Sequence, residues 1–194
     1  MKLYIYKLNF THRIANAVID AQQMHKLLTQ LTDSSRKDTN LLYRLDVKNG
    51  LVYVQSDKPL NDSDDLDLVR QIDMDKVIDK KHNGDHVTFL LKTTPYFHNR
   101  NTGYHYFKTE EKRKNSIAEK LALNGIDVGD IRELKRGRIA FRHNENRGGK
   151  YELTTYDYLV EGIITDIDAM QHRWNVGFGM DKAYGNGMFL MIEK

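Results

Sequence analysis

Along these 194 residues the apolar side chains switch from the alternation of a strand to the three- and four-residue spacing of a helix and back, twice over, and few folds satisfy that order. Leu3 to Phe10 is a short apolar and aromatic run that reads as a strand. Val18, Ala21, Met24, Leu28 and Leu31 then share one face of a helix from about Asn16 to Leu31. Leu41 to Asp46 and Leu51 to Ser56 alternate as strands, and Asn49-Gly50 between them is the tight-turn pair of a hairpin. Asp62 to Ile72 is expected to form a short helix capped by Asn61 or Asp62, and His86 to Lys92 a fourth strand. The order then repeats. Tyr104 to Lys108 opens it, and a helix runs from near Glu110 to a stop at Asn124-Gly125. Ile131 to Phe141 and Tyr151 to Thr165 pair as a long hairpin, and a helix over Ile167 to Arg173 precedes the last strand. Each half is the split β-α-β-β-α-β unit. The expectation is an α+β chain of two tandem ferredoxin-like (RRM-like) βαββαβ domains: residues 1–93, a linker over 94–103, and residues 104–194.

Composition narrows the setting. A hydrophobic content of 40% with 29% charged residues is ordinary for a globular protein, so neither a disordered nor a membrane protein is indicated. No apolar run approaches the roughly 20 residues that span a bilayer. Met1 to Leu8 lacks the apolar stretch and small-residue cleavage site of a signal peptide. With zero cysteines, neither disulfides nor thiolates are available, and a cytoplasmic protein is expected. The net charge of +3 is small, but its distribution is uneven. Between residues 132 and 150 stand Arg132, Lys135, Arg136, Arg138, Arg142, Arg147 and Lys150 against only Glu133 and Glu145. Asp62, Asp64, Asp65 and Asp67 are read as a solvated loop and helix start.

The tail carries the densest motif. Gly177, Gly179, Gly185 and Gly187 surround Lys182 and run straight into the apolar Met188 to Ile192. Glycines admit positive φ and expose main-chain N–H groups, and a lysine adds a point charge, which together suit a phosphate. A glycine-rich turn before a buried edge strand fits the same residues. The order excludes both the dinucleotide fingerprint and the P-loop, since a strand follows the glycines. His82, His86, His98 and His105 stand apart from any acidic partner pattern, so no metal site is expected. His25 lies one residue past Met24, at the edge of the apolar face of its helix, where spacing alone makes it a solvated flank. The basic hairpin by itself reads equally as a solvated charged element.

These residues resemble a known family: CasE, the CRISPR RNA-processing endoribonuclease subunit of the type I-E Cascade complex. The resemblance is carried by Gln23-Met24-His25-Lys26, by Leu42-Tyr43-Arg44-Leu45, by Val160-Glu161-Gly162, and above all by the glycine tail from Gly177 to Gly187. It implies metal-independent cleavage of precursor CRISPR RNA at the base of the repeat stem-loop, with the ribose 2′-hydroxyl as nucleophile and no cofactor. It also implies retention on the mature crRNA beside other Cascade subunits. His25 becomes the general acid or base, because imidazole titrates near neutrality. Some relatives carry a tyrosine three positions before this histidine and a lysine five after it; here those positions are Gln22 and Gln30. Glutamine donates a hydrogen bond but transfers no proton. Gln22 and Lys182 therefore join His25 as candidate catalytic residues. Lys26, Arg136, Arg138, Arg142, Lys150, Gly177, Gly179, Gly185 and Gly187 are candidates for holding RNA, with Arg136, Arg138 and Arg142 on alternate positions of one strand. The competing expectations are a non-catalytic RNA-binding subunit and a protein-interaction module with a basic hairpin.

Overall fold

The computed structural model describes residues 1–32, 41–101, 103–142 and 150–192. Its first sheet is built on β1 (Lys2–Leu8), flanked by β3 (Leu51–Ser56) and β4 (Leu66–Asp73), with β2 (Leu42–Asp46) outside β3. All three pairings are antiparallel. The predicted hairpin forms: Asp46 caps a single 3-10 turn over Val47–Asn49, and Gly50 closes it at φ 64°. The helix expected from Asn16 to Leu31 is two helices, α1 (His12–Ile19) and α2 (Ala21–Gln30). Asp20 separates them. Its backbone is extended (φ −134°, ψ 106°), its N–H bonds the Asn16 carbonyl that ends α1, and its carboxylate accepts from Gln22 N at 2.9 Å to start α2. An aspartate favours that capping geometry over a helix interior, so the apolar stripe continues across a bend. Ile14, Ala17, Met24, Leu27 and Leu28 from the two helices bury against Tyr4, Tyr6, Leu8, Val52 and Val54 of the sheet.

Two assignments change. Asp62 to Ile72 is not a helix: residues 57–65 cross as a loop and Leu66–Asp73 is the strand β4. The backbone of β1 needs a partner on its second edge, and Val69 and Ile72 suit a pleated strand better than a helix. Asp65, expected in a solvated cluster, is buried at 6% exposure and accepts from Thr11 Oγ1 at 2.6 Å and Arg13 Nη1 at 3.2 Å, which ties the loop to the start of α1. A five-residue helix, α3 (Met74–Ile78), follows β4.

The second change concerns β5 (His86–Thr93), expected to close the first half. It lies inside the second sheet, between β10 (Phe189–Met191) and β9 (Lys150–Ile164), with β8 (Ile126–Arg142) at the outer edge. The two sheets therefore part between Asp73 and His86, and not across residues 94–103. Tyr104 to Lys108, expected to open the second half, supplies instead β7 (Gly103–Tyr106), which pairs with β6 (Tyr96–Asn99) as a ribbon. Helices α4 (Glu110–Ala122) and α5 (Ile167–Val176) cover one face of the second sheet. Phe89, Trp174 and Phe189 form its aromatic centre, with ring centroids 5.0 to 6.0 Å apart.

Both sheets have the strand order of the ferredoxin-like unit. The first keeps that order without its second helix, and the second is complete. Leu3 and Leu42, on the helix-free face of the first sheet, pack into the core of the second half. No helix among the described residues is long and apolar enough to cross a membrane.

Candidate active site

The glycine tail leaves α5 at Gly177 and returns into β10, and its glycines all take positive φ: Gly177 76°, Gly179 71°, Gly185 80° and Gly187 81°. The loop is pinned at its neck, where Phe178 N donates to the Gly187 carbonyl at 2.8 Å. Lys182, expected to face a ligand, points inward. Its Nζ donates to the Val176 carbonyl at 2.8 Å, completing the C-terminal end of α5, while its stem packs beside Gly177 and Gly187. The lysine braces the loop from within.

What holds that loop against the first half is Tyr43 of β2. Its hydroxyl lies 3.2 Å from the Ala21 carbonyl, at the first turn of α2, and 3.2 Å from the Ala183 carbonyl of the loop. Gly185 sits flat on the Tyr43 ring, where a Cβ would come within 3.1 Å. Burial, then the nearby Tyr184 and Asp20, hold the Tyr43 hydroxyl far above its ordinary pKa, so it stays a neutral donor. Beside it, Tyr184 stacks on Phe141 of β8 with centroids 4.3 Å apart and planes 18° apart. Phe141 and Ile139 in turn close on Ala21. Three expected pieces thus meet at one place: the helix of His25, the glycine loop and the far half of the basic hairpin. The residues that join them, Tyr43, Phe141 and Tyr184, were not anticipated as site residues. In sequence they read as ordinary aromatic positions of strands and a turn.

On α2, Gln22 and His25 are half-buried and one turn apart, and Lys26 is exposed. The His25 carbonyl accepts from Thr29 Oγ1 at 2.8 Å, within the helix. A cleft of about 520 Å³ opens between α1, α2 and β8, lined among others by Arg13, Asn16, Gln23, Lys26, Gln30 and Phe141. Gln30 accepts from Arg13 Nη2 there, so a guanidinium stands beside the position where some relatives have a lysine. Arg13 is a further cation that spacing did not single out, because it lies on the other helix.

The hairpin presents the expected stripe in part. Arg136 and Arg138 are exposed and two apart on β8, hence on one face. Arg138 makes a 3.5 Å surface contact with Glu152, worth little to stability. Arg142 and Lys150 pair through their backbones at the end of the hairpin, while their side chains lie outside the described residues. Among the described residues no group of three or more His, Asp or Glu is placed to hold a metal ion.

A family model described as "CRISPR associated protein" matches residues 3–193. Among solved structures, CRISPR endoribonuclease Cse3 bound to a 19-nucleotide RNA superposes with a TM-score of 0.85 at 17% identity, covering 100% of both chains. Thermus thermophilus Cse3 bound to an RNA representing a pre-cleavage complex gives 0.84 at 15% identity, again over 100% of both. A chain of a CRISPR RNA-guided surveillance complex gives 0.72 at 19% identity, covering 98% of this chain and 99% of that one. These likenesses establish the fold. A search of curated proteins finds no match to the sequence.

Proposed function

The chain belongs to the CRISPR-associated protein family, and on that premise we propose that it is a metal-independent endoribonuclease that cleaves precursor CRISPR RNA at the base of the repeat stem-loop. The observation that carries this reading is the convergence, around Tyr43, of the α2 helix bearing His25, the glycine loop and the basic hairpin. The likeness to Cse3 in its RNA-bound forms supports it.

In the proposed reaction the 2′-oxygen attacks the adjacent phosphorus, the P–O5′ bond breaks, and a 2′,3′-cyclic phosphate and a 5′-hydroxyl result. The 2′-hydroxyl loses a proton and the 5′-oxygen gains one; His25 serves these transfers. Gln22 donates a hydrogen bond and orients the strand. The N–H groups of Gly177, Gly185 and Gly187 are taken up by the Arg173, Lys182 and Lys92 carbonyls, so these glycines shape the loop. Charge that builds on the phosphate oxygens is met by the main-chain N–H of Gly179, and by Arg13 and Lys26 across the cleft. Lys182 acts by bracing that loop. Since the nucleophile belongs to the substrate, holding it in line with the leaving oxygen supplies much of the acceleration.

Arg136 and Arg138, continued by Arg142 and Lys150, grip the phosphates of the stem, because the deep major groove of A-form RNA keeps side chains from the bases. Changing Arg136→Glu together with Arg138→Glu is expected to weaken repeat-RNA binding. The slope of log K against log salt should flatten by roughly 0.7 to 0.9 for each phosphate ion pair that the reversal removes. Fluorescence anisotropy across a KCl series reads both, and salt-independent RNA affinity, unchanged by the reversal, is the result that favours a protein-interaction module instead.

After cleavage the protein stays on the mature crRNA as a subunit of a Cascade-type complex in the cytoplasm. The likeness to a chain of a surveillance complex supports that role. The experiment that tests the activity is incubation with the protein's own repeat RNA in EDTA, where product is expected without added metal. A second reading, a non-catalytic RNA-binding subunit, is favoured by Gln22 and Gln30 standing in place of the tyrosine and lysine and by the inward course of Lys182. Tight binding without product in that incubation selects it.

A further inference from the structure

Three cations converge on one carboxylate in the groove between the two sheets. Asp157 of β9 stands directly opposite Lys92 of β5 and directly opposite Lys135 of β8, so the three side chains leave the same face of the sheet. That face is turned away from α4 and α5, which bury against Phe89, Leu91, Tyr156 and Tyr158. From the first sheet, Arg44 of β2 reaches across and places Nη2 3.0 Å from Asp157 Oδ1, with its side chain only 13% exposed. The other arm of its guanidinium, Nη1, is buried without a hydrogen-bond partner.

Burial lowers the pKa of Arg44 and of Lys92, outweighing the opposing pull of Asp157. Asp157 and, acting more weakly on Arg44, Asp46 of β2 are therefore set against three positive groups, two of them largely withdrawn from water. Buried charge of one sign is unfavourable unless something neutralises it, and apolar side chains would serve the fold better at these positions. The surplus sits in an open groove of about 820 Å³, lined also by Tyr53 and Thr155. A carboxylate is already present as Asp157, and it leaves Nη1 unfilled. A tetrahedral phosphoryl group offers oxygens to a bare guanidinium arm and to ammonium groups arriving from two other directions.

We propose that the Asp157 end of this groove, whose other end reaches Tyr43, Tyr184 and Gly185 beside the candidate active site, is a phosphoryl-binding site for a phosphate other than the scissile one, in which Arg44 Nη1, Lys92 and Lys135 hold one phosphate, either a backbone phosphate of single-stranded RNA or a free phosphate ion. The inference does not depend on His25 or on cleavage.

Lys92→Gln in the full chain tests it with three probes: inorganic phosphate, a uridine decamer and the repeat stem-loop. Phosphate, exchanged for chloride at constant ionic strength, should raise the melting temperature of the parent protein but not of the variant. If the source is RNA, the decamer binds the variant several-fold more weakly and its salt slope flattens by about 0.7, the value for one phosphate ion pair on a single strand. A phosphate response with unchanged decamer binding assigns the free ion. Stem-loop cleavage should be the same in both proteins, and Lys92→Arg should restore the phosphate response. With a poorly placed charge removed, Lys92→Gln alone should melt no lower than the parent; if it does not fold, the exposed Lys135→Gln is measured in its place. An equal phosphate response in parent and variant, equal protection by polyglutamate, or slowed stem-loop cleavage overturns the proposal.

Discussion

His25→Ala is expected to slow cleavage of the repeat stem-loop by about 10²–10⁴-fold under single-turnover conditions, the range a positioned acid or base supplies. Affinity for the RNA should hardly change. The side chain sits on a helix whose buried face is made by Ala21, Met24, Leu27 and Leu28, so removing the imidazole leaves the packing of α2 intact. No neighbour takes over. Gln22, one turn earlier, cannot move a proton, and Lys26 is an exposed ammonium with three donors and no acceptor. His25→Gln should be as slow as His25→Ala, which separates proton transfer from hydrogen bonding. Added imidazole should restore part of the rate to the alanine variant. A loss of less than about tenfold, outside the range expected of a proton-transfer group, removes His25 from the mechanism.

Gly187→Ala is expected to disable the site by a different route. An added Cβ would lie 2.3 Å from the Phe178 carbonyl oxygen, a backbone atom with no freedom to swing aside, at φ 81°. The backbone conformation alone costs a residue with a side chain roughly 1–3 kcal/mol, and the clash adds to it. Relief requires breaking the Phe178 N to Gly187 O bond at the neck of the loop. Tyr184 then leaves Phe141, and Ala183 leaves Tyr43. Cleavage should be abolished, the melting temperature should fall, and the far-ultraviolet circular dichroism of the two sheets should persist. Gly50→Ala is the matched control: its φ is also positive, at 64°, but nothing lies within 4 Å of the added Cβ. That variant should lose a little stability and keep its activity. Equal effects from the two substitutions contradict the role given to the neck.

Local chemistry made parts of this molecule legible. Asn49-Gly50 specified its turn, the apolar spacing of α2 specified its buried face, and the tail glycines specified positive φ, because each is decided within a few residues. Element order was enough for the ferredoxin-like class. What failed depended on distant partners. Leu66 to Asp73 became a strand because β1 had a second edge to fill, and His86 to Thr93 joined whichever sheet left a slot between β9 and β10. Val69 and Ile72 lean toward a strand, but nothing within either segment records which partner it takes. Lys182 looked like a ligand-facing cation because sequence shows a charge among glycines and not the Val176 carbonyl that receives it. Tyr43 was the reverse case, quoted in sequence only as part of a strand pattern and not as a site residue, while its hydroxyl lies 3.2 Å from backbone carbonyls at positions 21 and 183.

The most direct test uses two versions of the protein's own repeat stem-loop in EDTA, one all-ribose and one with a single 2′-deoxynucleotide on the 5′ side of the scissile phosphate. The account predicts rapid cleavage of the first to a 2′,3′-cyclic phosphate and a 5′-hydroxyl, and binding without cleavage of the second. Cleavage of the deoxy substrate, or a requirement for added divalent metal with the ribose one, would contradict it.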